Sequence, residues 1–152
     1  MSYSNIVPNV SDIRDQDMRL RVLRGFANAH RIDRRFPEGV DMQRGEWVTV
    51  NNDGGVEKMG ASPAKGAVVV FRGTEGFDSR ATQQVTIFEH PSSLIVETDN
   101  YISDSYDRDD VMVAVLDAGV GKLRKAASAA EALLGVAKVA EVKEGTLVLK
   151  LL

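Results

Sequence analysis

The sequence predicts a mainly β protein: a small antiparallel β-barrel or sandwich, with an extended N-terminal arm over residues 1–18 and a single β-rich domain over residues 19–152. Three observations carry that prediction. Apolar runs short enough to be strands recur along the chain, each bounded by Gly, Asp, Asn or Pro. Glu46-Trp-Val-Thr-Val-Asn, then Asn52-Asp-Gly-Gly, then Val56-Glu-Lys-Met sets β-branched and aromatic residues around an Asp53-Gly54 turn, the best hairpin signal in the chain. Finally, Leu147, Leu149 and Leu151 alternate with Val148, Lys150 and Leu152, giving one core-directed face and one mixed face.

Each element follows in order. Residues 1–18 are polar, with Pro8 and many Asn, Ser and Asp, and read as an arm that orders on a partner. Leu20, Val22 and Arg24 alternate with Arg19, Arg21 and Leu23, which predicts a strand ending at Gly25 and then a loop through Phe36. A helix carrying Val22, Phe26, Ala29 and Phe36 on one face is disfavoured by Gly25 inside it. Residues 37–45 are a turn-rich connector, and the Trp47 hairpin follows. Ala61-Ser-Pro-Ala-Lys-Gly is a loop, Ala67-Val-Val-Val-Phe-Arg a buried strand, and residues 73–82 a second loop. Gln84-Val-Thr-Ile-Phe-Glu and Leu94-Ile-Val-Glu-Thr are strands joined through Pro91-Ser-Ser. A polar loop over 99–110 leads to Val111-Met-Val-Ala-Val-Leu, a Gly-rich turn and Leu123-Arg-Lys-Ala. Ala126-Ala-Ser-Ala-Ala-Glu-Ala suits one or two helical turns. Val142 and Thr146 flank a Lys-Glu-Gly hairpin loop.

Composition bounds the function. The chain has 152 residues and no Cys, which excludes disulfides and thiolate metal sites and fits a reducing compartment. No apolar run reaches membrane-spanning length, and Met1–Pro8 lacks the basic and apolar regions of a secretory signal. The net charge of −3 is unevenly laid down: residues 1–45 balance at +2, residues 46–110 at −7 and residues 111–152 at +2. Such segregation suits contact with surfaces of different sign, or pairing between segments of the same chain.

Motifs for chemistry are scarce, so no catalytic residue, metal ligand or cofactor site is expected and the chain is not expected to be an enzyme. Gly119-Val-Gly-Lys122 departs from a phosphate-binding loop, which needs Gly where Leu116 stands and Ser or Thr where Leu123 stands. Asp104, Asp107, Asp109 and Asp110 crowd one loop without the central Gly and closing Glu of a calcium loop, and read as a solvated acidic segment. The histidines are His30 and His90 alone; Glu89 and His90 are adjacent, hence on opposite faces of a strand, and His90 precedes a Pro turn. No nucleophile elbow appears.

The candidate binding residues are Arg19, Arg21, Arg24, Arg31, Arg34 and Arg35, since Arg grips carboxylate and phosphate bidentately. They suit an acidic protein partner, or the acidic middle of the same chain. An OB-like nucleic-acid module is the lesser alternative: Trp47, Phe71 and Phe88 sit in acidic or neutral surroundings, and the overall acidity weakens phosphate attraction.

Leu20-Arg-Val-Leu-Arg-Gly, Gly45-Glu-Trp-Val-Thr-Val with its Asp-Gly-Gly turn, Gly121-Lys-Leu123, and the ending Gly135-Val-Ala-Lys-Val-Ala-Glu-Val-Lys-Glu-Gly-Thr-Leu-Val-Leu-Lys-Leu-Leu together resemble the decoration, or cement, proteins of tailed-phage heads. The resemblance is one of layout over residues 19–152 and leaves the first 18 uncovered. It implies a β-rich virion protein made in the host cytoplasm, bound to the outside of the expanded head. It also implies association as dimers or trimers, contact with the major capsid protein, and no cofactor. A tail or baseplate module is the alternative within the same class.

Overall fold

The computed structural model describes residues 20–25, 30–37, 39–72, 84–90 and 94–152. The expected arm over residues 1–18 and the expected loop over 73–82 lie outside the described residues. Strands dominate, in the order β1 (Arg21–Arg24), β2 (His30–Arg35), β3 (Trp47–Val50), β4 (Val56–Lys58), β5 (Ala67–Arg72), β6 (Gln84–His90), β7 (Ile95–Thr98), β8 (Val111–Asp117) and β9 (Val120–Lys125). A single helical turn, α1 (Ala129–Ala132), then precedes β10 (Ala137–Lys143) and β11 (Thr146–Leu151).

The strands form two antiparallel sheets. The first has six strands in the order β1-β7-β11-β10-β8-β9, and the second has five in the order β2-β6-β5-β3-β4. The five-stranded sheet curls into a nearly closed barrel. Its closure is visible where the far strands meet: a Cβ placed on Gly55, beside β4, would lie 3.3 Å from the carbonyl oxygen of Arg35 on β2. The mainly β expectation is therefore met, by a barrel packed on a sheet.

Period-two alternation explains how the barrel strands serve two cores. Val48, Val56, Ala67, Val69, Val85 and Ile87 point inward with Phe36 and Met42. Trp47, Val68, Val70 and Phe88 point the other way, onto the six-stranded sheet, where they meet Val96, Met112, Leu123, Val139, Leu147, Leu149 and Leu151. The unbroken apolar run of β5 is the signature of a strand buried on both faces. Each such side chain contributes about 1.5–3 kcal/mol of transfer free energy when fully buried. In β11 the alternate leucines do face the core, and Val148 on the opposite face is also buried.

One segment corrects the sequence reading. Residues 26–36 were expected to be loop, yet His30–Arg35 is the strand β2, paired along its length with β6 from His30↔His90 to Arg35↔Gln84. Ile32 is its one large apolar residue, so its strand state comes from tertiary pairing rather than from a sequence period. The other assignments shift only at their ends. The β10–β11 hairpin closes over Glu144-Gly145, with Lys143 opposite Thr146 and Gly145 at φ 82°.

Candidate functional site

The arginine-rich stretch builds an outer strand of each sheet. β1 is one end of the six-stranded sheet and so an open edge, whereas β2 is the end strand of the five-stranded sheet that comes up beside the β4 end as the barrel nearly closes. The six candidate arginines fare differently. Arg21 Nη1 reaches Glu97 Oε1 at 3.4 Å, so part of this charge is spent on the acidic middle of the same chain. Arg34 lies against the Asn51–Gly54 turn, where its Nη1 would come within 2.7 Å of a Cβ on Gly54. Arg24 and Arg35 are exposed. Arg31 stands on β2 opposite Phe88 in register, and Arg19 lies outside the described residues. The structure thus divides the five described arginines between the end strands of two sheets rather than gathering them into one pocket.

Glu97 is a node of the β1 side. It accepts from Thr146 Oγ1 at 3.0 Å and faces Lys143 Nζ at 3.3 Å as well as Arg21. Burial pushes its carboxyl upward, but the hydrogen bonds from Thr146 and Lys143 and the charges of Lys143 and Arg21 together outweigh it and hold the group below its ordinary value.

A buried polar junction that no sequence motif announced ties barrel to sheet. Glu46 is fully buried. Its Oε1 accepts from Gln43 N at 3.0 Å, and its Oε2 accepts from Lys58 Nζ at 2.7 Å and from Gly121 N at 3.2 Å. Lys58 also donates to Gly119 O at 2.9 Å. Asn100, likewise buried, donates from Nδ2 to Gly45 O at 2.8 Å and Gly121 O at 3.0 Å. Gly121 allows this approach, since a Cβ there would sit 1.8 Å from Trp47 O. Gln43 N, Lys58 Nζ, Gly121 N and Asn100 Nδ2 are each aimed at an acceptor inside the protein, so the junction has the chemistry of a structural clamp.

The acidic loop is braced by its own carboxylates. Asp110 Oδ2 accepts from Asp107 N at 2.7 Å and faces Lys125 Nζ at 3.6 Å, and Asp104 Oδ1 accepts from Ser105 N at 2.7 Å. Tyr106 turns inward, donates its hydroxyl to Ile102 O, and meets Tyr101 edge-on at 5.4 Å. Burial, then the charge of Asp104, pushes the Tyr106 phenol up to about 12. Among the described residues, no group of three or more His, Asp or Glu side chains could hold a metal ion. His30 and His90, far apart in sequence, are cross-strand partners on β2 and β6; their separation hid this pairing from the sequence reading. Of the Gly119-Val-Gly-Lys122 segment, expected to be a hairpin turn, Gly119 makes the β8–β9 turn with Ala118, and Val120, Gly121 and Lys122 are already paired in β9, with Asp117 opposite Val120.

Among described aromatics of the barrel strands, Trp47 and Phe88 are buried in the inter-sheet core, so neither offers a face for base stacking. No helix among the described residues is long and apolar enough to cross a membrane. Comparison with protein-family models, with curated proteins and with solved structures finds no match to this chain.

Proposed function

We propose that the chain is a structural virion protein that binds the outside of a tailed-phage head and stabilises the capsid lattice, as a decoration or cement protein. Its partners in this reading are the major capsid protein and further copies of itself, and it needs no cofactor. The observation that carries the reading is the placement of the arginine-rich stretch, which forms the open edge strand β1 and the barrel's end strand β2 and leaves Arg24 and Arg35 exposed. An edge strand bearing Arg resists promiscuous strand pairing and favours a partner with acidic side chains. Contact made through edges and arms, on a fold closed by its own buried clamp, suits a protein that bridges neighbours in a shell.

Quantitative mass spectrometry of purified virions tests this. A copy number within a few-fold of the major capsid protein is expected. A handful of copies would move the role to a tail or baseplate, and complete absence would overturn it. Deleting residues 2–18 should weaken head binding while leaving the β signal in circular dichroism intact; unchanged head binding would remove the arm from the proposal.

A further inference from the structure

We infer that the outer face of the six-stranded sheet is a self-docking surface, on which a basic row made of Arg24, Lys150 and Lys138 receives the acidic loop 104–109 of a second copy. This deepens the reading of self-contact above, and its test needs no virion.

The row follows from register. Val111 stands opposite Lys138, Lys138 opposite Lys150, Lys150 opposite Ile95, and Ile95 opposite Arg24. Directly opposed residues share a sheet face. Ala137, Leu151, Leu149 and Val96, the chain neighbours of Lys138, Lys150 and Ile95, point into the core, so this row points away from it, and the bulge between Val22 and Arg24 brings Arg24 to the same side. Arg24, Lys138 and Lys150 are exposed, and the side chain of none of the three forms a hydrogen bond or ion pair among the described residues.

That is unlike the rest of the sheet. Arg21 and Lys143 share Glu97, Lys122 has Asp117 at 3.0 Å, Arg124 has Glu131 at 2.7 Å and Lys125 has Asp110 at 3.6 Å. The sheet supplies a carboxylate to each of its other cations and withholds one from this row. Lys138 and Lys150 are, moreover, like charges in direct opposition, which destabilises a sheet until an anion arrives.

The same chain carries the complement. Asp104, Asp107 and Asp109 are exposed, and the loop holding them is fixed by Asp110, Lys125 and the buried Tyr106, so little order is lost on docking. Apart from the bond from Ser105 N to Asp104, their carboxylates have no partner among the described residues. Arg108 is the cation of this segment and leaves it strongly acidic.

Position favours a two-fold pairing. Asp109 N donates to Val139 O at 2.8 Å and Val139 N to Asp110 O at 2.9 Å, so the loop abuts β10 one residue from Lys138. Positive and negative patches lying side by side are what a self-complementary two-fold contact requires, each covering the other's opposite. Ile95 and the exposed Leu152 add apolar area along the row. A phosphate backbone is the poorer occupant, because the neighbouring acidic loop repels it.

Sedimentation of the full chain at low and high salt reads the outcome. A dimer is expected at about 50 mM salt, weakening roughly tenfold or more by about 500 mM. K138E/K150E and D104K/D107K should each be folded monomers by circular dichroism and sedimentation. Asp109 is left in place because its φ of 74° penalises replacement. An equimolar mixture of the two variants should restore a dimer, since each reversed patch then meets its opposite on the other chain. A wild type that stays monomeric at low salt would overturn the inference. So would dimers unaffected by either variant, a mixture that fails to pair, or a single-stranded oligonucleotide bound by the wild type and lost in K138E/K150E.

Discussion

Replacing Glu46 by Ala tests the clamp between barrel and sheet. The substitution removes the acceptors of Gln43 N, Lys58 Nζ and Gly121 N together. The Gly121 N–H is buried and loses its partner, a cost of about 1–3 kcal/mol. Gln43 is exposed and its N–H turns to water, at about 0.5 kcal/mol. The Lys58 side chain is 26% exposed and keeps Gly119 O, so its share is about 1 kcal/mol rather than the 3–5 of a broken, fully buried pair. A loss of about 3–4 kcal/mol is expected, which lowers Tm by about 10 °C for a chain of this size. Urea unfolding followed by circular dichroism measures it. Lys58→Met should cost about 2 kcal/mol, because it strands a buried carboxylate, and E46A/K58M should cost less than the two single changes combined. If Glu46→Ala loses under about 1 kcal/mol with an unchanged urea slope, the junction does not clamp barrel to sheet.

Gly121→Ala should cost more than about 3 kcal/mol or prevent folding, because its Cβ meets the Trp47 backbone carbonyl rather than a movable side chain. Gly119→Ala, in open space at φ 79°, should cost only about 1 kcal/mol, and thermal melts of the pair distinguish the two causes. Glu131 is held down to about 2, first by its hydrogen bond from Arg124, then by Ala127 N. Its stabilisation is therefore full above the ordinary carboxylate value of about 4.3 and lost as pH falls toward about 2, so Glu131→Gln should flatten the acid limb of a Tm profile in that window. An unchanged limb would refute the pairing. Tyr106→Phe should cost about 1 kcal/mol by orphaning Ile102 O. In the wild type the neutral phenol stabilises the fold below its ordinary value near 10, and that contribution disappears as pH rises toward about 12. Phenolate absorbance from Tyr106 in the folded protein should accordingly appear near pH 12 rather than near 10.

The strands that sequence could locate are those whose own residues carry the period. Trp47–Val50, Ala67–Arg72 and Thr146–Leu151 each announce a face or a doubly buried run, and Asp53-Gly54 announces its turn. β2 carried no such signal: Arg and Asp fill most of it, and its pairing with β6 joins residues as far apart in the chain as His30 and His90. The split of alternation between two cores was equally hidden. Trp47 and Val48 are both buried because the barrel needs one and the sheet the other.

Polar function was the least legible because it is made by distant pairs. Glu46 opens the Trp47 hairpin run with no motif to mark it, and only the arrival of Gly121, 75 positions away, makes it a buried acceptor. The glycines of Gly119-Val-Gly-Lys122 resembled a damaged phosphate loop. One makes the hairpin turn at positive φ, and the other lets β9 touch the Trp47 carbonyl. The basic row has the same origin. Arg24, Lys138 and Lys150 are scattered along the chain and become neighbours only through the register of four strands. A charge tally by segment placed a balance of +2 on residues 111–152 but could not separate the cations that the sheet neutralises from those it leaves for a partner.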